Sequence, residues 1–174
     1  MKDLFIGMTL VLLDVNFSVQ GHSFDVLPDF IGYYLMLREL EQLAAHSNYF
    51  RKAYPWAKGM AIFSLVIYVV NALAVTIRDQ FWSFCLGFAA QAIGLLIGYW
   101  IVSGVRELER KRRWRLDGEK LFHLWLYMAV VTVITYASSW IPLVGTVGVI
   151  ASLVMSICFL VAFYRTMKVY EAKK

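Results

Sequence analysis

Charge is what this chain has least of. Only 17% of its 174 residues are Asp, Glu, Lys or Arg, while 60% are hydrophobic; soluble domains carry about 25% charged residues. A soluble domain of 20.0 kDa could not hide so much apolar side chain, because its surface-to-volume ratio is too high. The excess requires an apolar solvent, which excludes a disordered chain and a conventional cytosolic enzyme. Cysteine is scarcer still, with two residues in the chain. Cys85 and Cys158 both lie inside apolar runs and form no C-x-x-C pair, which excludes a disulfide scaffold. The three histidines, His22, His46 and His123, have no ligand spacing, so no metal and no cofactor is expected. The sequence also lacks G-x-S-x-G, H-E-x-x-H, P-loop and dinucleotide glycine motifs. With no nucleophile and base to name, an intramembrane enzyme ranks third among the functional readings.

What is present is a set of long charge-free stretches. Gly59 to Ile77 is 19 residues, Gln80 to Val105 is 26, and Leu121 to Tyr164 is 44. A helix rises about 1.5 Å per residue and the hydrocarbon layer is about 30 Å thick. The first two stretches therefore predict one spanning helix each. The third, at about 66 Å, predicts a hairpin broken at Ser138-Ser139-Trp140-Ile141-Pro142, with Pro142 in the first turn of the new helix. Four helices follow, near 58–77, 82–105, 120–140 and 142–165. The amino-terminal third adds two more. Leu4 to about Val19 has no small-x-small cleavage site behind it and reads as a retained membrane segment. After a polar stretch, Pro28-Asp29 opens a second helix, which runs through Phe30–Leu37 into Arg38-Glu39-Leu40-Glu41. This hairpin either crosses fully or re-enters. The expected fold is thus a single all-α transmembrane domain over residues 1–174, a bundle of six helices.

Basic residues give the orientation. With the amino terminus inside, sixteen of the seventeen Lys and Arg fall on the inner side and Arg78 alone outside. Short loops with that bias place both termini in the cytoplasm.

The segment Phe24-Asp25-Val26-Leu27-Pro28-Asp29-Phe30-Ile31-Gly32-Tyr33 resembles a signature in a family of small, uncharacterised bacterial integral membrane proteins, mainly of Firmicutes type. The likeness takes in about the first third of the chain, including Ser47-x-x-Phe50-x-x-Ala53. It implies a bacterial plasma membrane location and draws attention to Asp25–Gly32; it supplies no reaction.

Several polar groups stand inside or beside the apolar stretches. Asp25 and Asp29 flank Val26-Leu27-Pro28 at the outer mouth, where paired carboxylates attract a cation or simply start a helix. Asp14 lies about 16 Å from the inner face and Arg38 about 15 Å from the outer, so an antiparallel hairpin would set both near one level. Each lone charge there costs at least about 2.5–3.5 kcal/mol, which favours a cluster of Asp14, Arg38 and Glu39. The competing reading puts Arg38 and Glu39 at the inner interface on a short helix. Asn71 and Gln91, on facing arms of a hairpin, could share a polar cavity or merely tie the bundle together. Thr132, Thr135, Tyr136 and Ser139 form a similar stripe. Ala90, Gly94 and Gly98 repeat every four residues, as do Gly148, Ser152 and Ser156, which allows close packing within the chain or a homodimer. Between Arg106 and Lys120, Glu107 with Lys111 and Glu109 with Arg113 have the spacing that extends a helix, and Asp117-Gly118 is expected to break it. Arg110, Lys111, Arg112 and Arg113 beside Trp114 suit anionic lipid headgroups; nucleic acid is not an expected partner.

The leading functional reading is a transport-type or transport-accessory membrane protein with a polar path through Asp14, Asp25, Asp29, Arg38, Asn71 and Gln91. The alternative is a non-transporting structural or regulatory subunit that docks a larger membrane complex through its small-residue faces and basic loop.

Overall fold

The computed structural model describes residues 1–13, 16–19, 22–25, 29–72, 80–138 and 142–173. It is a six-helix bundle: α1 (Lys2–Leu12), α2 (Asp29–Leu43), α3 (Asn48–Ala72), α4 (Gln80–Arg112), α5 (Gly118–Ala137) and α6 (Pro142–Ala172). Between α1 and α2 the chain forms a short antiparallel ribbon, β1 (Asn16–Val19) and β2 (His22–Asp25), with Asn16 opposite Asp25 and Val19 opposite His22.

Four helices are long and apolar enough to cross a membrane: Asn48–Val70, Cys85–Arg112, Gly118–Ala137 and Thr146–Ala172. Their outer faces carry Val66, Val69, Val133, Ile134, Val147, Ile150 and Val154 in the open. An exposed apolar surface of that extent is stable only against lipid. The protein is therefore membrane-embedded. α1 and α2, at 11 and 15 residues, rise about 16 and 22 Å, so neither alone reaches across.

Each helix packs on the next in sequence, and α1 closes the ring against α6. At that seam the Phe5 ring stacks on Phe163, with centroids 6.4 Å apart, and meets Tyr164 at 5.4 Å. Neighbours run antiparallel, so the charged ends of α1, α2, α3, α4, α5 and α6 gather at one end of the bundle. There Lys2 pairs with Glu171 at 3.3 Å, Arg106 with Glu119 at 2.7 Å, and Lys111 with Glu107 at 2.7 Å. Ser47 also donates to Glu107, which ties the start of α3 to the end of α4. Just inside this charged end, Leu4, Leu40, Leu43, Phe50, Ile101, Val105, Leu108, Leu121, Phe159 and Phe163 form a closed apolar layer, each at most 2% exposed.

Several boundaries differ from expectation for identifiable reasons. α3 begins at Asn48 rather than near residue 58, because Arg51, Lys52 and Lys58 lie on exposed positions and do not interrupt the helix. α4 continues beyond the apolar stretch, as the Glu107–Lys111 spacing indicated, but stops at Arg112. Arg113, at φ 50°, turns the chain away, and Gly118 opens α5 instead of merely ending α4. Glu109 does not pair with Arg113. Its carboxylate accepts hydrogen bonds from the backbone N–H groups of Leu116 (3.1 Å) and Gly118 (2.8 Å). An acceptor from the preceding helix thus satisfies donors at the start of α5, where a capping side chain would otherwise act.

Candidate functional site: a cavity at the centre of the ring

In the half of the bundle away from the charged end, the closed layer gives way to a cavity of about 480 Å³. Ligand sites of small molecules are typically about 300–1,000 Å³. All six helices contribute to its wall, among them Met8 from α1, Tyr33 from α2, Met60 from α3, Gln91 from α4, Thr132 from α5 and Ser156 from α6.

Small residues make the room. Ala90, Gly94 and Gly98 on α4 all face the cavity. A Cβ on Gly94 would stand 3.8 Å from the Tyr33 hydroxyl, and one on Gly98 would press to 2.9 Å from the Trp125 indole nitrogen. On α6, Gly148 lies under Thr135, with 2.5 Å to its hydroxyl from a notional Cβ, while Ser152 and Ser156 line the cavity. Both small-residue stripes therefore point inward.

The polar lining comes from four helices, α2, α4, α5 and α6. Asp29 sits in the first turn of α2, where a carboxylate also suits the positive end of the helix dipole. It is the one charged residue among the described lining residues. Tyr33 stands one turn on from it along α2, and the other walls carry Gln91, Thr132, Thr135, Tyr136, Ser152 and Ser156. Thr135 also donates to the Val131 carbonyl at 2.8 Å, and Ser152 to the Val149 carbonyl at 2.8 Å, which holds their oxygens close to the helix surface. Tyr136 is steadied by an edge contact with Phe88, with centroids 5.9 Å apart. Such a site can bind a small solute through a carboxylate and neutral hydrogen-bonding groups.

Of the residues singled out from sequence, Asp29 and Gln91 come together here, and the Thr132–Thr135–Tyr136 stripe joins them. Asp14 lies outside the described residues, as do the side chains of Asp25 in β2 and Asn71 in α3. Arg38 does not lie in the cavity. Its guanidinium stands 3.8 Å from Asp3, at the beginning of α1, and is 68% exposed. Glu39 is buried and bonds the Met1 ammonium. Arg38 comes to Asp3 because the crossing of α1 and α2 sets Gly7 against Gly32 and Met36. That register carries residue 38 down to residue 3, so Arg38 and Glu39 lie at the charged end of the bundle, while Asp29 at the other end of α2 stays by the cavity. Arg110, Lys111, Arg112 and Arg113 are all exposed there. Arg112 lies over the Trp114 ring at 4.9 Å, and Lys173 approaches it at 6.0 Å.

Tyr33, Ser152 and Ser156 were not marked as polar lining by the sequence. The four-residue repeat of small side chains was the available signal, and it serves packing and cavity equally. The chain matches no known family model, no curated protein and no solved structure.

Proposed function

We propose that this protein is a small transport-type or transport-accessory protein of a bacterial plasma membrane, with both termini in the cytoplasm, and that the central cavity holds its solute. The observation that carries this reading is the cavity itself: all six helices wall it, and a single carboxylate, Asp29, stands among hydroxyl and amide groups. Polar groups at membrane depth are costly, and their convergence on one space favours a binding role over incidental packing. A carboxylate beside hydroxyl and amide groups is the lining that recognises a small cation or a protonated amine. The closed layer of Leu4, Leu40, Ile101, Phe159 and Phe163 at the charged end would make this a vestibule reached from the opposite side.

The test is a thermal-shift screen of the purified protein in detergent against small inorganic and organic cations, followed by tracer flux in reconstituted vesicles. A hit is expected to lose at least tenfold in affinity in Asp29→Asn and to be transported across the vesicle membrane. If no cation shifts the melting temperature and flux equals that of protein-free vesicles, the reading is wrong.

A further inference from the structure

A second depression, of about 380 Å³, lies on the outside of the bundle between α3 and α4. Its lining is apolar throughout: Pro55, Trp56, Gly59 and Phe63 on α3, with Leu86, Ala89 and Ile93 across from them on α4. Gly59 keeps it open, for a Cβ there would meet nothing within 4 Å. Met60 and Ala90 form its back and also line the central cavity, so the two spaces share a wall.

One cation lies on the same stripe of α3 as the wall of this groove, one turn beyond it. Lys52, Trp56, Gly59 and Phe63 are spaced by four, three and four residues, which sets them on one stripe of α3. Lys52 is exposed and, among the described residues, makes no ion pair. Trp56, one turn further in, is 46% exposed and packs beside Trp100 with centroids 6.0 Å apart, an aromatic pair of the kind found at headgroup level. The nearby carboxylate of Glu107 is already taken by Lys111 and Ser47.

We propose that this groove binds an acyl chain of an anionic phospholipid, with the headgroup phosphate at Lys52. Two features select that occupant over a helix of another protein. The stripe from Lys52 to Phe63 rises about 16 Å, the depth of one leaflet of a hydrocarbon layer about 30 Å thick, whereas a partner helix would run the full thickness. The polar end of the groove carries a positive charge and an indole, which match a phosphate above an acyl chain. Of the basic residues 110–113, Lys111 is held by Glu107 and the His46 carbonyl and Arg112 lies over Trp114.

The experiment is native mass spectrometry of the full chain released from nanodiscs of phosphatidylglycerol or of phosphatidylcholine. One phosphatidylglycerol is expected to stay bound to the wild type. Its occupancy should fall at least tenfold in Lys52→Glu and in Gly59→Phe, which fills the groove without displacing a neighbour, and persist in Lys52→Arg. Equal retention of phosphatidylcholine, or unchanged occupancy in Lys52→Glu and Gly59→Phe, overturns the proposal. So does a dimer that Gly59→Phe abolishes, which would make the groove an interface between copies. None of these outcomes depends on whether the central cavity transports anything.

Discussion

Gly7 of α1 and Gly32 of α2 face each other with no room for a side chain on either. A Cβ on Gly32 would lie 2.9 Å from the carbonyl oxygen of Gly7 and 2.9 Å from the Val11 side chain, and one on Gly7 would overlap the Gly32 carbonyl. This crossing sets the register of the whole hairpin. It brings Asp3 to Arg38 and leaves Asp29 and Tyr33 beside the cavity. Gly7→Val and Gly32→Val are each expected to destabilise the protein by about 1–3 kcal/mol or more, as overpacking does. Gly59→Ala, which meets nothing, should be nearly neutral. Thermal unfolding of the three variants in one detergent checks the contrast; equal melting temperatures would refute the close crossing.

Glu109 joins α4 to α5 through the backbone rather than through a basic side chain. Two hydrogen bonds to a carboxylate are lost in Glu109→Ala, at roughly 1.5–3 kcal/mol for a bond to a charged group. Gly118→Ala should damage the same turn, because its Cβ would come 2.7 Å from Glu109 Oε2 and 3.0 Å from the Arg106 side chain. The two substitutions strike one contact, so the double variant is expected to be less destabilised than the two effects added. Full additivity in chemical or thermal unfolding would count against a shared turn.

The crowding of basic residues at one end predicts the compartment that end occupies. In a background with Cys85 and Cys158 replaced by serine, Arg112→Cys should react with a membrane-impermeant maleimide only after cells are opened. Labelling of intact cells at that position would reverse the assignment of both termini.

The four long helices were legible in the amino-acid order because hydrophobicity over about 20 residues is a property of composition, indifferent to what packs where. Pro142 as the first residue of α6 was equally legible, since a missing N–H is harmless only in a first turn. The true start of α3 was hidden by Arg51, Lys52 and Lys58, whose charges look like a boundary although exposed positions on a helix accommodate them. The β1–β2 ribbon was not legible: residues 16–19 read as the tail of the first membrane segment, although α1 ends at Leu12, and residues 22–25 as part of a polar stretch, because four-residue strands are too short for a clear alternation.

The site divides along the same line. Asp29 and Gln91 drew notice as polar groups in apolar surroundings, a feature visible residue by residue. Their meeting with Thr132, Thr135, Tyr136, Ser152 and Ser156 was decided only by the closing of the ring, because α6 is apolar on every side and its sequence does not say which face turns inward. Arg38 shows the converse: counting residues from each end put it opposite Asp14, whereas the Gly7–Gly32 crossing put it beside Asp3. Membrane residence and the charged end thus follow from the order of residues alone, since transfer between water and lipid acts on each segment independently. Which side chains share the cavity follows from the tertiary structure, since van der Waals contact between helices, and not hydropathy, sets their rotation and register.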